Sequence, residues 1–216
     1  MIMLYPNAPH RRTRAAFTLF ELLMVMGIVL IIGVLAIPAL SSVKRSTALT
    51  RAEDEILGEL SLARQHAISV NRDVEVRFYR VRESAAPSAP WRFRAVQAYT
   101  YDAAGAATPL RIVRMLPREV VIDSGTTLST LLAAARKKAW SADDPQPVVP
   151  GYGTDYEAWA FRFRPEGGTD LTPFPATPWF ITLHDAGLGD SLATPPANYA
   201  SIVVDPVSGQ MSSFRP

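Results

Sequence analysis

The chain has no cysteine. That excludes a disulfide framework, thiol catalysis, cysteine-based zinc sites and a lipid-modified cysteine anchor. Histidine is nearly as scarce: His10, His66 and His184 are scattered, and no HExxH spacing occurs. Ser124-Gly125 forms no nucleophile elbow, and the glycine pairs lack the lysine of a phosphate loop. The acidic loops DAGLGD, with Asp185 and Asp190, and EGGTD, with Glu166 and Asp170, lack the regular alternation of oxygen ligands that a calcium loop needs. They read as surface turns. The expectation is therefore a protein that is not an enzyme and that needs neither cofactor nor metal.

Acidic residues are absent from residues 1–16, which carry Arg11, Arg12 and Arg14. Of 22 basic residues in the 216-residue chain, the 19 outside that segment face 20 acidic ones, a balance of −1. A near-neutral remainder gives no global electrostatic case for nucleic acid or an anionic surface. The basic segment leads into a run with a single charge, Phe17 to Leu40, FTLFELLMVMGIVLIIGVLAIPAL, broken only by Glu21. As a helix it measures about 36 Å at 1.5 Å per residue, so the reading is a transmembrane helix with some tilt. A secretory signal peptide and a plain signal-anchor are the alternatives. Against the former, an h-region spans about 7 to 15 residues before a small-residue cleavage site, and this run is longer and holds an acid. Lys44, Arg45 and Arg51 beyond the far end partly balance the leader arginines, so charge alone does not orient the segment. Gly27, Gly33 and Pro38 are weak helix residues within it, and Pro38 removes a backbone donor and marks a kink.

The junction Phe17, Thr18, Leu19, Phe20, Glu21 resembles the leader of type IV prepilins, where a short basic peptide ends before Phe-Thr-Leu-x-Glu and an apolar helix. The resemblance implies that a prepilin peptidase cuts between Ala16 and Phe17 and that the new amine of Phe17 is methylated. Where the family usually has glycine, this chain has Ala16. Pro38 falls where many pilins carry a proline. Glu21 has, by the same resemblance, an assembly role, pairing with the methylated amine of a neighbouring subunit. A carboxylate snorkelling to a membrane edge is the plainer alternative. The resemblance also implies a cytoplasmic N-terminus, a single inner-membrane pass and a periplasmic head.

From Ser41 to about Val70 the helical pattern continues and becomes amphipathic, with Leu49, Ala52, Ile56, Leu60, Ala63, Ala67 and Val70 forming one stripe. Arg51, Glu53, Asp54, Glu55, Glu59 and Arg64 read as a solvated face. Leu60 to Ala67, LSLARQHA, resembles the helix end of pseudopilin H and FimT-like minor pilins. Strands are expected at Asp73–Val81, half-buried, and at Trp91–Asp102, paired as a hairpin. A broken strand flanks Leu116-Pro117. Further strands are expected at Ala158–Phe163, Trp179–His184, Ser201–Asp205 and Gln210–Phe214, with DPVSGQ as the last turn. Residues 125–152 read as an insertion containing a short helix through Leu128, Leu131, Leu132, Ala135 and Trp140, capped by Thr126 or Thr127. Arg136, Lys137 and Lys138 read as its solvated end. Phe161, Phe163, Pro165, Gly167 and Gly168 resemble the F-x-F-x-P-x-G segment of the same family.

The expected fold is thus α+β and pilin-like, a long N-terminal helix packed on an antiparallel sheet. Its divisions are a leader at 1–16, a transmembrane or filament-core helix at 17–40, an amphipathic helix at 41–72 and a β-rich head at 73–216. The expected function is that of a minor pseudopilin or pilin assembled into a type II secretion or pilus-like filament. Its partners are prepilin peptidase, other pilins or pseudopilins, an inner-membrane assembly platform with its ATPase, and the membrane. Two other classes stand beside it. One is a FimT-like DNA-uptake pilin, against which the C-terminus SSFRP offers only Arg215, so nucleic acid is not an expected partner. The other is a membrane-tethered protein of different function.

Overall fold

The computed structural model describes residues 18–84, 86, 88–140 and 144–216, with the side chains of 34–42 outside the description. The chain divides into two compact units, Met1–Ser42 and Val43–Pro216. Helix α1, Leu19–Val70, contributes to both. It opens on Thr18, whose hydroxyl accepts the Glu21 N–H at 3.2 Å while its carbonyl accepts the Leu22 N–H. It closes at Asn71, which takes a left-handed φ of 54°. The Arg72 N–H then returns to the Ala67 carbonyl, the 6→1 bond of a Schellman motif.

The first unit corrects one expectation. No helix of the described residues is long and apolar enough to cross a membrane. The apolar side chains described in this part of α1 run from Leu19 to Ile32, about 21 Å of helix against roughly 30 Å of hydrocarbon. The transmembrane first half of the helix falls, and with it the single-pass inner-membrane placement with a cytoplasmic N-terminus and a periplasmic head.

In the second unit the described residues form one antiparallel sheet of nine strands. These are β1 (Val74–Arg82), β2 (Trp91–Tyr101), β3 (Ala107–Pro109), β4 (Arg114–Met115), β5 (Val120–Ile122), β6 (Tyr156–Phe163), β7 (Trp179–Asp185), β8 (Tyr199–Val204) and β9 (Met211–Phe214). The order across the sheet is β6-β1-β2-β5-β7-β8-β9, with β3 and β4 also paired to β2. The architecture is α+β. Leu49, Ala52, Ile56, Leu60, Ala63 and Ala67 are buried in one core with Val76, Phe78, Val96, Phe161, Ile181, Leu183 and Ile202. The small Ala52, Ala63 and Ala67, none of them solvent-exposed, leave room for those larger strand side chains. Val70, expected on this stripe, is exposed.

The expected solvated face of the helix is only partly solvated. Glu53 is buried and Glu59 is 2% exposed, its carboxylate accepting the Ala98 N–H at 3.0 Å. Burial pushes the Glu59 carboxyl above its ordinary range, and the Ala98 N–H with Arg111 and Arg114 offsets part of that. Arg64 donates to the Gly167 and Ser208 carbonyls, tying the turns after β6 and β8 to the helix. Glycine is required where those turns meet. A Cβ on Gly168 would sit 2.6 Å from the Val207 carbonyl, and Gly209, at φ 62°, has the Gly167 carbonyl closer still.

Two local expectations change. Strand β1 is buried on both faces rather than one, because it lies between β6 and β2 and its outer face is covered as well. The short helix in the insertion is replaced by two 3-10 turns, Thr130–Leu132 and Ala134–Arg136. Ser129, not Thr126 or Thr127, precedes the first, and its hydroxyl accepts the Thr182 N–H from β7 instead of capping a helix.

Gly209→Ala is expected to destabilise the protein by ~2–5 kcal/mol, combining positive-φ strain with a backbone clash. Gly105→Ala, at φ 85° with open space around its Cβ, costs only ~1–2 kcal/mol. Urea midpoints of the two variants check the difference.

Candidate functional site

Two places carry the residues of interest. The first is the opening turn of α1, in the first unit. Thr18, Leu19, Phe20 and Glu21 occupy N-cap, N1, N2 and N3, so Thr18-x-x-Glu21 has the spacing of a capping box and shows its side-chain-to-N3 bond. The Glu21 side chain is exposed, and among the described residues it has no ion-pair partner. An acid in this first turn is favoured by the positive end of the helix dipole. From there the surface is apolar on every side: Leu19, Phe20, Leu22, Leu23, Met24, Val25, Met26, Ile28, Val29, Leu30, Ile31 and Ile32 are all exposed. A helix that is hydrophobic all round belongs in a buried setting. Of the expected processing residues, Thr18, Leu19 and Glu21 are described, whereas Ala16 and Phe17 lie outside the described residues. Pro38 lies within α1, in the stretch whose side chains are not described.

The second place lies on the outer face of the sheet in the second unit, under the insertion. Strand alternation sends Glu75, Arg77 and Tyr79 outward from β1. Cross-strand register sets Tyr99 opposite Glu75 and Gln97 opposite Arg77, with Arg162 of β6 beside Glu75. Arg77 is fully buried. Its Nε donates to Glu75 at 2.6 Å, and its terminal nitrogens donate to Asp144 at 2.8 Å and to the Pro145 carbonyl at 3.0 Å. Its guanidinium lies 3.8 Å over the Tyr99 ring. Lys138 reaches Glu75 at 3.1 Å and Asp144 at 3.2 Å, and Arg162 reaches Glu75 at 3.1 Å. The cluster is thus three cations on two carboxylates. Trp140, Tyr152 and Val149 from the insertion pack with Tyr79, Val81 and Tyr156 over the same face.

Burial works against the Glu75 carboxylate, but the Arg77 and Lys138 charges and hydrogen bonds hold it below its usual range. The same cluster keeps Arg77 above the ordinary arginine range despite its own burial. Tyr79 and Tyr99 are raised by burial, and the phenol of Tyr156 is pushed up to about 12 for the same reason. Glu75 and Arg77 are thus held charged, and Tyr79, Tyr99 and Tyr156 neutral, around neutrality. None is poised as a general acid, base or nucleophile.

His184 and Asp123 form a further buried pair, with Nε2 at 3.1 Å from the carboxylate. Nδ1 is 3.0 Å from the Asp185 carbonyl, so both ring nitrogens are engaged. Asp123 also accepts the Gly125 and Leu192 N–H groups and so organises two loops. His66 is half-buried near the end of α1. Asp190 takes Arg80 and Ser124, and Asp170 takes Arg136 and the Arg162 N–H. Among the described residues no group of three or more His, Asp or Glu could hold a metal.

The Glu75–Arg77–Lys138–Asp144 cluster is absent from the sequence-based expectations, which place Arg136 to Lys138 at a solvated end. The signal for it is the alternation of Glu75, Arg77 and Tyr79 along β1, next to an insertion that carries both signs of charge. The capping-box spacing Thr18-x-x-Glu21 is likewise legible and gives Glu21 a local role besides any assembly role.

No family model and no curated protein matches the chain. Among solved structures it is similar to the minor pseudopilin EpsH from the Type 2 Secretion System of Vibrio cholerae. The likeness covers 78% of this chain and 97% of that chain, at 10% sequence identity and a TM-score of 0.41. It is a weak and partial structural resemblance to a pseudopilin, and at that score it does not establish a shared fold.

Arg77→Ala empties a fully buried site and takes from Glu75 and Asp144 their shortest ion pairs, leaving Lys138 on both and Arg162 on Glu75, and is expected to cost ~3 kcal/mol. The pH dependence has two limbs. The Glu75 contribution is complete above its unfolded value and is lost as pH falls through the lowered folded value. The Tyr156 contribution is complete below about pH 10 and is lost as pH rises toward 12. Melting temperature against pH should therefore fall at both ends, with the acid limb flattened in Glu75→Gln.

Proposed function

We propose that the chain is a structural subunit of a pilin-like or pseudopilin-like filament. In this reading a prepilin peptidase removes residues 1–16 by cutting between Ala16 and Phe17, and the new Phe17 amine is methylated. The apolar part of α1 then packs among the same segments of neighbouring subunits. The observation that carries the reading is the exposed, all-round apolar surface from Leu19 to Ile32, interrupted in its first turn by one carboxylate, Glu21, which has no ion-pair partner among the described residues. Such a surface needs cover, and a carboxylate taken into that cover costs several kcal/mol unless a cation joins it. A methylated amine on an adjacent subunit is a cation of the right kind, presented four residues away in the same repeated segment.

Apolar packing supplies most of the association free energy in this arrangement, at roughly 25 cal/mol per Å² removed from water. The Glu21 pair supplies register, because a subunit slipped along the bundle leaves both charges unmatched. Head-to-tail association of identical subunits about an operation that does not close gives an open helical filament. Recognition of further components falls to the second unit, which is free to vary on its loops.

Glu21→Gln separates the two roles of this residue. It keeps an oxygen within reach of the capping-box position but removes the charge. Co-purification of tagged Glu21→Gln or Glu21→Ala subunits with wild-type copies is expected to be lost, while removal of residues 1–16 continues. Normal incorporation of Glu21→Gln would mean that the acid serves the helix end alone.

A further inference from the structure

After β3 the chain runs beside β2 as Leu110 to Glu119, LRIVRMLPRE, and within it β4 pairs with β2 alone. The backbone of this stretch is held at several points. The Leu110 N–H donates to the Ala98 carbonyl and the Leu116 N–H to the Arg94 carbonyl. Gln97 donates to the Arg111 carbonyl at 2.7 Å, and Arg94 donates to the Arg118 carbonyl at the same distance. Val113, Met115 and Leu116 pack into the cores of the two sheet faces. Arg111, Ile112, Arg114 and Arg118 are left outside, with Ile112 78% exposed.

These cations differ from the other arginines of the sheet. The arginines of β1, β2 and β6 each have a carboxylate partner. Among the described residues Arg111, Arg114 and Arg118 form no ion pair. Glu59, the acid on which Arg111 and Arg114 act, is buried and gives its carboxylate to the Ala98 N–H. Glu119 is the one exposed acid of the stretch. A cleft of about 530 Å³ opens beside Arg118, with Met115, Leu116, Pro150 and Tyr152 in its lining. Its polar side is Glu83 paired with Arg94, so Arg118 leaves the cleft net positive.

We propose that this stretch is a docking surface for an acidic polypeptide segment, whose carboxylates pair with Arg111, Arg114 and Arg118 and whose apolar side chains cover Ile112 and enter the cleft. Guanidinium groups suit this occupant because their planar forks match a carboxylate with two hydrogen bonds. Their fixed backbone lowers the cost of ordering on binding. A second copy of the same face does not fit, since an isologous contact sets arginine against arginine. Nucleic acid fits less well: three cations release few counterions, Ile112 stands exposed among them, and the stretch supplies no aromatic side chain for stacking on a base.

The full chain is titrated by calorimetry with an acetylated, amidated eight-residue peptide of glutamate carrying leucine at its third and sixth positions. Versions with glutamine for glutamate and with serine for leucine, and a single-stranded oligothymidine of eight nucleotides, are the comparisons. The acidic peptide is expected to bind, less tightly as salt rises, and the glutamine and serine versions to bind at least tenfold more weakly. Arg118→Gln and the double variant Arg111→Gln/Arg114→Gln are each expected to weaken binding at least tenfold. Arg72→Gln, at an exposed arginine outside this stretch, leaves binding unchanged. Among the described residues the Arg118 side chain makes no bond, so Arg118→Gln keeps its melting temperature and decides the matter should the double variant not fold. No binding of the acidic peptide, equal binding of the glutamine or serine version, an equal loss in Arg72→Gln, or tighter binding of the oligothymidine overturns the proposal. None of these outcomes bears on Glu21, so failure here leaves the filament reading untouched.

Discussion

The apolar surface of α1 has to be covered, and most of the molecule depends on how that is done. Between Leu49 and Ala67 the chain covers it with its own sheet. The stripe is narrow, and its alanines admit Phe78, Phe161 and Phe163 into the same core. Between Leu19 and Ile32 the apolar surface extends all round the helix and is exposed. The same helix thus changes from an element that completes a core to one that needs other molecules. The change tracks a change in sequence pattern, from unbroken apolarity to an amphipathic stripe.

The sheet faces a second covering problem that it solves electrostatically. Its outer face over β6, β1 and β2 carries Glu75, Arg77 and Tyr79, which would be ordinary solvent-facing residues without the insertion. Lys138, Trp140, Asp144, Val149 and Tyr152 cover them, and each charge so buried is matched by an opposite one. The net free energy of such a cluster is small, since desolvation offsets much of the attraction. The cluster ties the insertion to β1 through Lys138 and Asp144, both of which pair there.

Much of this was legible. The seven-residue stripe of α1 predicted the buried side of the helix except at Val70, and alternation with turn residues located β1, β2, β6, β7, β8 and β9 to within about two residues. Asp205-Pro-Val-Ser-Gly-Gln marked its turn because Asp205 can accept from the two following N–H groups, as it does. The hidden features depended on contacts distant in sequence. Nothing local distinguishes Glu59, buried against Ala98, from its solvated neighbour Asp54. Leu128, Leu131 and Leu132 have helical spacing, but tertiary pairing of Ser129 with Thr182 holds the segment in 3-10 turns. The membrane-spanning assignment read apolarity over twenty-four positions, whereas the described apolar surface is shorter than a bilayer requires. At the first turn of α1, the residue motif was plain, and the capping bond of Thr18 was encoded in the same five letters.

The functional account rests on a new amine at Phe17 that comes within reach of Glu21 on a neighbour. Mass spectrometry of the protein isolated from its native source measures that amine directly. The account predicts a mature N-terminus at Phe17 carrying one methyl group. A chain still beginning at Met1, or one cut at a small residue at the far end of the apolar run as a secretory signal peptide would be, would contradict it.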